Sequence, residues 1–121
     1  MKLTFSKPKF IHYTKNDQQV TKCIYKCKMV TPDGNIVYDF VVDGYAVCSP
    51  NDEYKPRTGE IIADSRAKSN AYTKCRNRIA INLEEHQDII FTSIDMVKFF
   101  DKMQFLKKQE AQHLEFVLNN G

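Results

Sequence analysis

Apolar and polar residues alternate along the first half of the chain, and this alternation predicts β-strands. Between Val20 and Val30, the even positions 22–28 are three lysines and Ile24, while the odd positions 23–29 carry Cys, Tyr, Cys and Met. Residues Ile36–Cys48 alternate in the same way. The turn-forming segment Thr31-Pro32-Asp33-Gly34-Asn35 separates the two runs, so together they predict an antiparallel hairpin.

One register of this hairpin brings the apolar faces of its two strands together. It places Met29 opposite Tyr38, and it places Lys28 opposite Asp39 as an opposite-charge pair on the solvated face. A slip of one residue would mix apolar with polar faces, so this register is the expected one. The other apolar pairs that it predicts are Cys27 with Phe40 and Tyr25 with Val42.

A further strand is expected between Leu3 and Tyr13. Pro8 lacks a backbone N–H, which suits an edge strand or a bulge rather than the centre of a sheet. The apolar phase also changes between Phe5 and Phe10. A bent edge strand explains both features.

The second half of the chain predicts helices. No proline occurs between Gly59 and Glu85, and small or apolar residues recur every four positions along this run. Such a stripe lets another backbone come close to the helix. The stripe consists of Ala63, Ala67, Ala71, Cys75, Ile79 and Leu83.

A second helix is predicted from Ser93 to Leu118, with a length of about 39 Å at 1.5 Å per residue. A helix this long would overhang a small sheet and leave Phe99, Phe100 and Phe105 partly exposed. Pairing with a second copy of the chain would cover them, so we expect a homo-oligomer. The alternative is a loop near 107–110 that divides the helix into a hairpin.

The chain of 121 residues therefore predicts a single α+β domain over residues 1–121. An N-terminal antiparallel sheet of three or more strands (1–49) precedes two long C-terminal helices (58–121). The start of the sequence does not resemble a signal peptide, and no apolar run is long enough to span a membrane. We expect a cytoplasmic protein, without membrane association, whose four cysteines are reduced.

No residue pattern indicates catalysis, a metal or a cofactor. Cys23 and Cys27 lie on one strand face without a second ligand pair, so buried thiols that act as small apolar side chains are the better interpretation. Burial raises the pKa of a thiol and disfavours a nucleophilic role. No glycine-rich phosphate loop occurs among the four glycines. The sequence thus predicts a protein that is not an enzyme.

The segment CSPNDEYKPRTGEIIADSRA, which begins at Cys48, joins the sheet to the first helix. A phosphate near Gly59–Ala63 would meet the N-terminal amide groups of the helix. Two arginines could add bidentate contacts and a tyrosine could stack on a base. The prolines could instead only stiffen the connection. The candidate ligand-binding residues are Ser49, Asp52, Tyr54, Arg57 and Arg66.

This segment resembles small bacteriophage proteins through Gly44-x-Ala46-x-Cys48-x-Pro50-x-Asp52 and Gly59-x-x-x-Ala63-x-x-Arg66-Ala67. The overall plan is similar to that of the anti-Thoeris sponge family. The resemblance implies an N-terminal sheet, C-terminal helices and a homo-oligomer. It also implies a non-catalytic protein that sequesters a cyclic ADP-ribose-type or cyclic nucleotide immune signal and so counters bacterial anti-phage defence.

Another function class stays open. The net charge of +3 is too small to indicate nucleic-acid binding unless the basic residues cluster. Basic side chains do recur along residues 66–78, which suggests a phage protein that binds nucleic acid or inhibits a host protein. A small enzyme that acts on a nucleotide is a third hypothesis, although no acid–base pair supports it.

Overall fold

The structure, a computed structural model, describes residues 2–48, 53, 55–84 and 97–109. It confirms the predicted α+β fold, in which a four-stranded antiparallel sheet precedes two helices. The elements are β1 (Lys2–Phe5), β2 (Lys9–Lys15), β3 (Gln18–Val30), β4 (Ile36–Cys48), α1 (Pro56–Glu84) and α2 (97–109).

Strand β3 is the centre of the sheet. Strand β4 pairs with one side of β3, while β2 and β1 pair one after the other with its opposite side. The gap in the chain between β1 and β2 contains Pro8. Beside this gap, the Ser6 N–H donates to the Lys26 carbonyl at 2.9 Å, and the Lys26 N–H donates to Ser6 Oγ at 3.0 Å. The predicted bent edge strand is confirmed, with its interruption at the proline.

The predicted hairpin register between β3 and β4 is also confirmed. Met29 lies opposite Tyr38, and Lys28 lies opposite Asp39. At the turn, the Gly34 N–H donates to the Thr31 carbonyl at 2.9 Å. Gly34 has a φ of 87°, which a residue with a side chain rarely adopts. Local turn chemistry and face alternation therefore fix this register together.

Helix α1 covers one face of the sheet, which we call the inner face. Its stripe of small residues is fully buried from Ala63 through Ala67, Ala71 and Cys75 to Ile79. Gly44 on β4 lies directly beneath the helix. A Cβ at this position would be 2.3 Å from the backbone nitrogen of Ala67 and 2.4 Å from the carbonyl oxygen of Ala63. The stripe thus permits the close helix–strand contact that its composition predicts.

Helix α2 packs beside α1 through Phe99 and Met103, both of which are buried. The Phe99 ring lies 5.9 Å from that of Tyr72, between ring centroids. The prediction that Phe99 is partly exposed is wrong, because Tyr72 on α1 provides an aromatic surface for it. Phe100 and Phe105 are exposed as predicted, at 38% and 58%.

The extent of α2 is only partly described. Residues 107–109 are helical, which contradicts a loop that begins at Lys107. The predicted ends of this helix, Ser93 and Leu118, lie outside the described residues. Within the described parts of the chain, no helix is both long enough and apolar enough to cross a membrane.

Candidate functional site

Two of the five predicted ligand-binding residues can be located, and both lie on α1. Arg57 is exposed in the first turn of the helix. Arg66 is half-buried, and its Nη1 donates to the backbone carbonyl of Tyr45 on β4 at 2.8 Å. Ser49, Asp52 and Tyr54 lie outside the described residues.

The helix does not bring these two arginines together. Arg66 is nine positions after Arg57 on the helix, so the two residues lie about 13.5 Å apart along the axis and about half a turn apart around it. Arg66 also has a structural partner in the β4 backbone. Of the two, Arg57 is the better placed for a ligand at the junction.

The first turn of α1 begins earlier than the sequence suggested. Helix α1 begins at Pro56, a residue that suits a first helical position because its missing N–H has no partner there anyway. The Gly59 N–H already donates to the Lys55 carbonyl at 3.1 Å. The expectation that an anion would meet the amide groups of Gly59–Ala63 is therefore wrong. The N–H groups of the first turn belong to Arg57 and Thr58 instead.

The charges at this helix end are unusual. The first turn contains no acidic residue, and both Lys55 and Arg57 are exposed there. Cationic side chains are unfavourable near the positive end of a helix dipole, by about 0.3–1 kcal/mol each at exposed sites. An anion bound at this end would remove that penalty.

The motif residues behind the family resemblance are mostly packing residues. Gly59 contacts β3, since a Cβ there would lie 2.6 Å from Thr21 Oγ1. Gly44 contacts the backbone of α1 at Ala63 and Ala67. Together these contacts hold the first part of α1 against β3 and β4. The glycines and alanines of the motif therefore position the start of α1 on the sheet, and Arg66 adds one polar contact to the β4 backbone.

A polar cluster that sequence reasoning missed joins β2, β3 and α1. His12 Nε2 lies 3.0 Å from Glu60 Oε1, and His12 Nδ1 lies 3.2 Å from Thr21 Oγ1. Thr21 is buried, whereas His12 and Glu60 are about one-third and one-quarter exposed. Because His12 and Glu60 are 48 residues apart, no local pattern could reveal this contact.

A second polar cluster lies further along the same side of α1. The Tyr25 hydroxyl donates to Asp64, and Lys68 Nζ lies 3.2 Å from the other oxygen of that carboxylate. Burial, followed by the hydrogen bond to Asp64, raises the pKa of Tyr25. The hydroxyl therefore stays protonated and acts as a donor. The Asp64–Lys68 spacing of four residues was the only sequence signal for this cluster.

Three of the four cysteines follow the sequence interpretation, while Cys48 at the end of β4 is only half-buried. Cys23, Cys27 and Cys75 are fully buried free thiols. Burial raises their pKa values to about 12, about 11 and about 12, respectively. Thiols with such pKa values are poor nucleophiles at neutral pH. Among the residues that the structure describes, no group of three or more His, Cys, Asp or Glu side chains is arranged to hold a metal ion.

The basic residues of 66–78 contact the protein itself. Lys74 Nζ donates to the Val41 carbonyl at 3.2 Å, and the Arg78 guanidinium lies 5.5 Å from the centre of the Tyr38 ring. The Arg76 guanidinium lies 5.1 Å from the centre of the Phe100 ring on α2. These side chains stabilise contacts of α1 rather than form one open basic stripe.

Comparisons of this chain with protein-family models, with curated proteins and with solved structures find no match.

Proposed function

We propose that this protein binds a phosphorylated small molecule without changing it chemically. The ligand class is a cyclic ADP-ribose-type or cyclic nucleotide immune signal, and its sequestration would counter bacterial anti-phage defence. The motif that spans Gly44 to Ala67 suggests this class through its resemblance to anti-Thoeris sponges. Such a protein requires tight binding and no turnover.

The observation that carries the proposal is the cationic first turn of α1. Arg57 projects from a helix end that lacks an acidic residue, beside the predicted binding segment. Glu60, the first acidic residue of this helix, pairs with His12 on β2. A phosphate at this helix end would gain from the dipole, the first-turn amide groups and a guanidinium.

Burial of three of the four thiols disfavours a nucleophilic role for them, whereas Cys48, at the end of β4, is half-buried. Three thiols and the Thr21 hydroxyl are buried within the protein and have no access to a ligand in solvent. The thiol pKa values are raised as well. A ligand held at the junction would therefore meet none of these four groups as a nucleophile.

We also propose that the protein acts as a homo-oligomer. Apolar side chains of α2 and the end of α1 are exposed on the isolated chain, where a second copy would cover them. A pocket between copies encloses a ligand more fully than the surface of a small monomer. The exposed side chains are those of Ile81, Val97, Phe100 and Phe105.

Calorimetry with glycocyclic ADP-ribose and with cyclic di- and trinucleotides tests the proposal. We expect Arg57→Gln to weaken binding by about tenfold or more, because a hydrogen bond to a charged group contributes about 1.5–3 kcal/mol. The matched control is Lys102→Gln, which removes one exposed positive charge from α2. This control should leave the affinity unchanged.

Two results would contradict the proposed function. The first is the absence of binding by any of these ligands at micromolar concentrations. The second is recovery of a chemically altered ligand after the complex is denatured by heat, which would indicate an enzyme. Mass spectrometry of the released ligand distinguishes an intact molecule from a product.

A further inference from the structure

The face of the sheet opposite α1, which we call the outer face, is strongly cationic. Directly opposite strand residues share a face, so the register assigns each side chain to one side. Six lysines lie on the outer face against two aspartates, an excess larger than the net charge of +3 of the whole chain. The lysines are Lys2, Lys9, Lys15, Lys22, Lys26 and Lys28, and the aspartates are Asp39 and Asp43.

The two aspartates neutralise only part of this charge. Lys22 Nζ lies 3.9 Å from Asp43 Oδ2, and Lys28 lies opposite Asp39. Lys2, Lys9, Lys15 and Lys26 are exposed at other positions of the three strands. The outer face thus presents a row of positive charges along the sheet.

Aromatic rings lie among these charges. Tyr13 on β2 and Tyr45 on β4 are 38% and 39% exposed, although tyrosine rings are usually more deeply buried. Two strand spacings of about 4.8 Å each separate β2 from β4, and the register offsets Tyr45 from Tyr13 by two residues along the strands, so the two tyrosines are about 12 Å apart. Val20 lies between Tyr13 and Val47 in the register and is buried on the outer face between these two neighbours.

We propose that the outer face binds single-stranded nucleic acid. Exposed rings on a cationic surface combine the two contacts that such ligands need, stacking for the bases and ion pairing for the phosphates. A second copy of the chain fits poorly, because packing two outer faces together would oppose lysines with lysines. An acidic peptide would satisfy the lysines but would not need two exposed rings.

This inference is independent of the proposed function, because it uses a different surface. The outer face and the inner face, on which α1 packs, are opposite sides of one sheet. It also differs from nucleic-acid binding through residues 66–78, whose side chains contact the sheet edge and α2. Failure of one proposal therefore leaves the other standing.

Fluorescence anisotropy with labelled oligothymidine DNA and oligouridine RNA of about 12 nucleotides, within the range that one small domain contacts, tests the inference. We expect Tyr13→Ala to weaken binding by about tenfold and Tyr13→Phe to bind like the unmodified protein, because stacking requires only the ring. Phe105→Ala is the control, since it removes an exposed ring from α2. The relative affinities for the two strands decide between DNA and RNA.

The salt dependence tests the lysines. Each lost phosphate contact should reduce the slope of log K against log salt by about 0.7, so the double variant Lys9→Gln with Lys26→Gln should reduce it by about 1.4. Lys98→Gln with Lys102→Gln removes the same charge from α2 and should leave the slope unchanged. Thermal unfolding of each variant confirms that it is folded.

Three outcomes would overturn the inference. One is the absence of oligonucleotide binding at about 50 mM salt, where phosphate contacts are strong. Another is an affinity that depends on Arg57 or on the control lysines of α2 but not on the outer face. The last is that polyglutamate binds as tightly as the oligonucleotides and that Tyr13→Ala changes neither affinity. This result would identify the outer face as a site for acidic peptides.

Discussion

Gly44 shows how a single residue determines the distance between two elements. It is buried on the inner face of β4, where the backbone of α1 occupies the space that a side chain would need. The nearest atoms are a backbone nitrogen and a carbonyl oxygen of the helix, so no rotamer change can relieve a contact with them. The glycine is required here for its size.

We therefore expect Gly44→Ala to lower the free energy of unfolding by about 1–3 kcal/mol, because the helix must move away from the strand. Urea unfolding followed by circular dichroism measures this change. Val41→Ala is the matched control, since Val41 is 55% exposed on the outer face of the same strand. A Gly44→Ala protein as stable as the unmodified one would mean that α1 does not lie this close to β4.

Helix α1 also protects the open edge of the sheet. Strand β4 has a neighbour on one side only, among the described strands. Three side chains of α1, spaced four residues apart, donate to alternate carbonyl groups along its other side. Arg66 reaches the Tyr45 carbonyl, Asn70 the Asp43 carbonyl and Lys74 the Val41 carbonyl. Bonds of this kind block the pairing of β4 with a strand of another molecule.

Asn70→Leu tests this protection, because it removes the central donor, which lies 2.8 Å from the Asp43 carbonyl. We expect a loss of about 1 kcal/mol in the free energy of unfolding and an increase in concentration-dependent association. Asn77→Leu makes the same change at another exposed position of α1. Light scattering should show more association for Asn70→Leu than for Asn77→Leu. Equal scattering by the two variants would indicate that added hydrophobicity alone causes the association.

The elements that could be predicted from the sequence are those defined by short-range patterns. Alternation and a turn determine the β3–β4 register, and a four-residue repeat identifies the buried side of α1. Contacts between distant segments leave no such pattern. Tyr25 and Asp64 are 39 residues apart, and the position of β4 beneath α1, which explains Gly44, depends on the complete fold.

At the scale of the whole molecule, the sequence could not show how the candidate residues are arranged in space. The sequence indicated the junction, but residue type alone could not show that Arg66 reaches the backbone of β4 while Arg57 remains exposed. It also indicated basic residues on α1, although the larger cationic surface is the outer face of the sheet. Alternation along β3 places three of the six outer-face lysines on one face of that strand. The other three join them only because β1 and β2 pair with β3.

The buried thiols make the stability of the whole molecule depend on pH. Burial, and then the nearby Cys27, raises the pKa of Cys75 from 9.0 to about 12. Below about pH 9 the thiol is protonated in both the folded and the unfolded chain. Between about pH 9 and about pH 12 only the unfolded chain loses the proton, so the stability contributed by protonated Cys75 is lost as the pH rises.

In this window, Cys75 should lower the unfolding free energy by about 1.4 kcal/mol for each unit that the pH rises. Cys75→Ala should lack this contribution, so its unfolding free energy should fall less steeply with pH. Urea unfolding under reducing conditions at a series of alkaline pH values measures that slope. Cys23 and Cys27 have pKa values raised in the same direction, so part of the decline should persist in the variant. Val42→Ala, which removes buried apolar atoms without a titratable group, should lower stability equally at every pH. An unchanged slope in Cys75→Ala would mean that this thiol has the same pKa in the folded and unfolded chain, and would contradict its burial between α1 and the sheet.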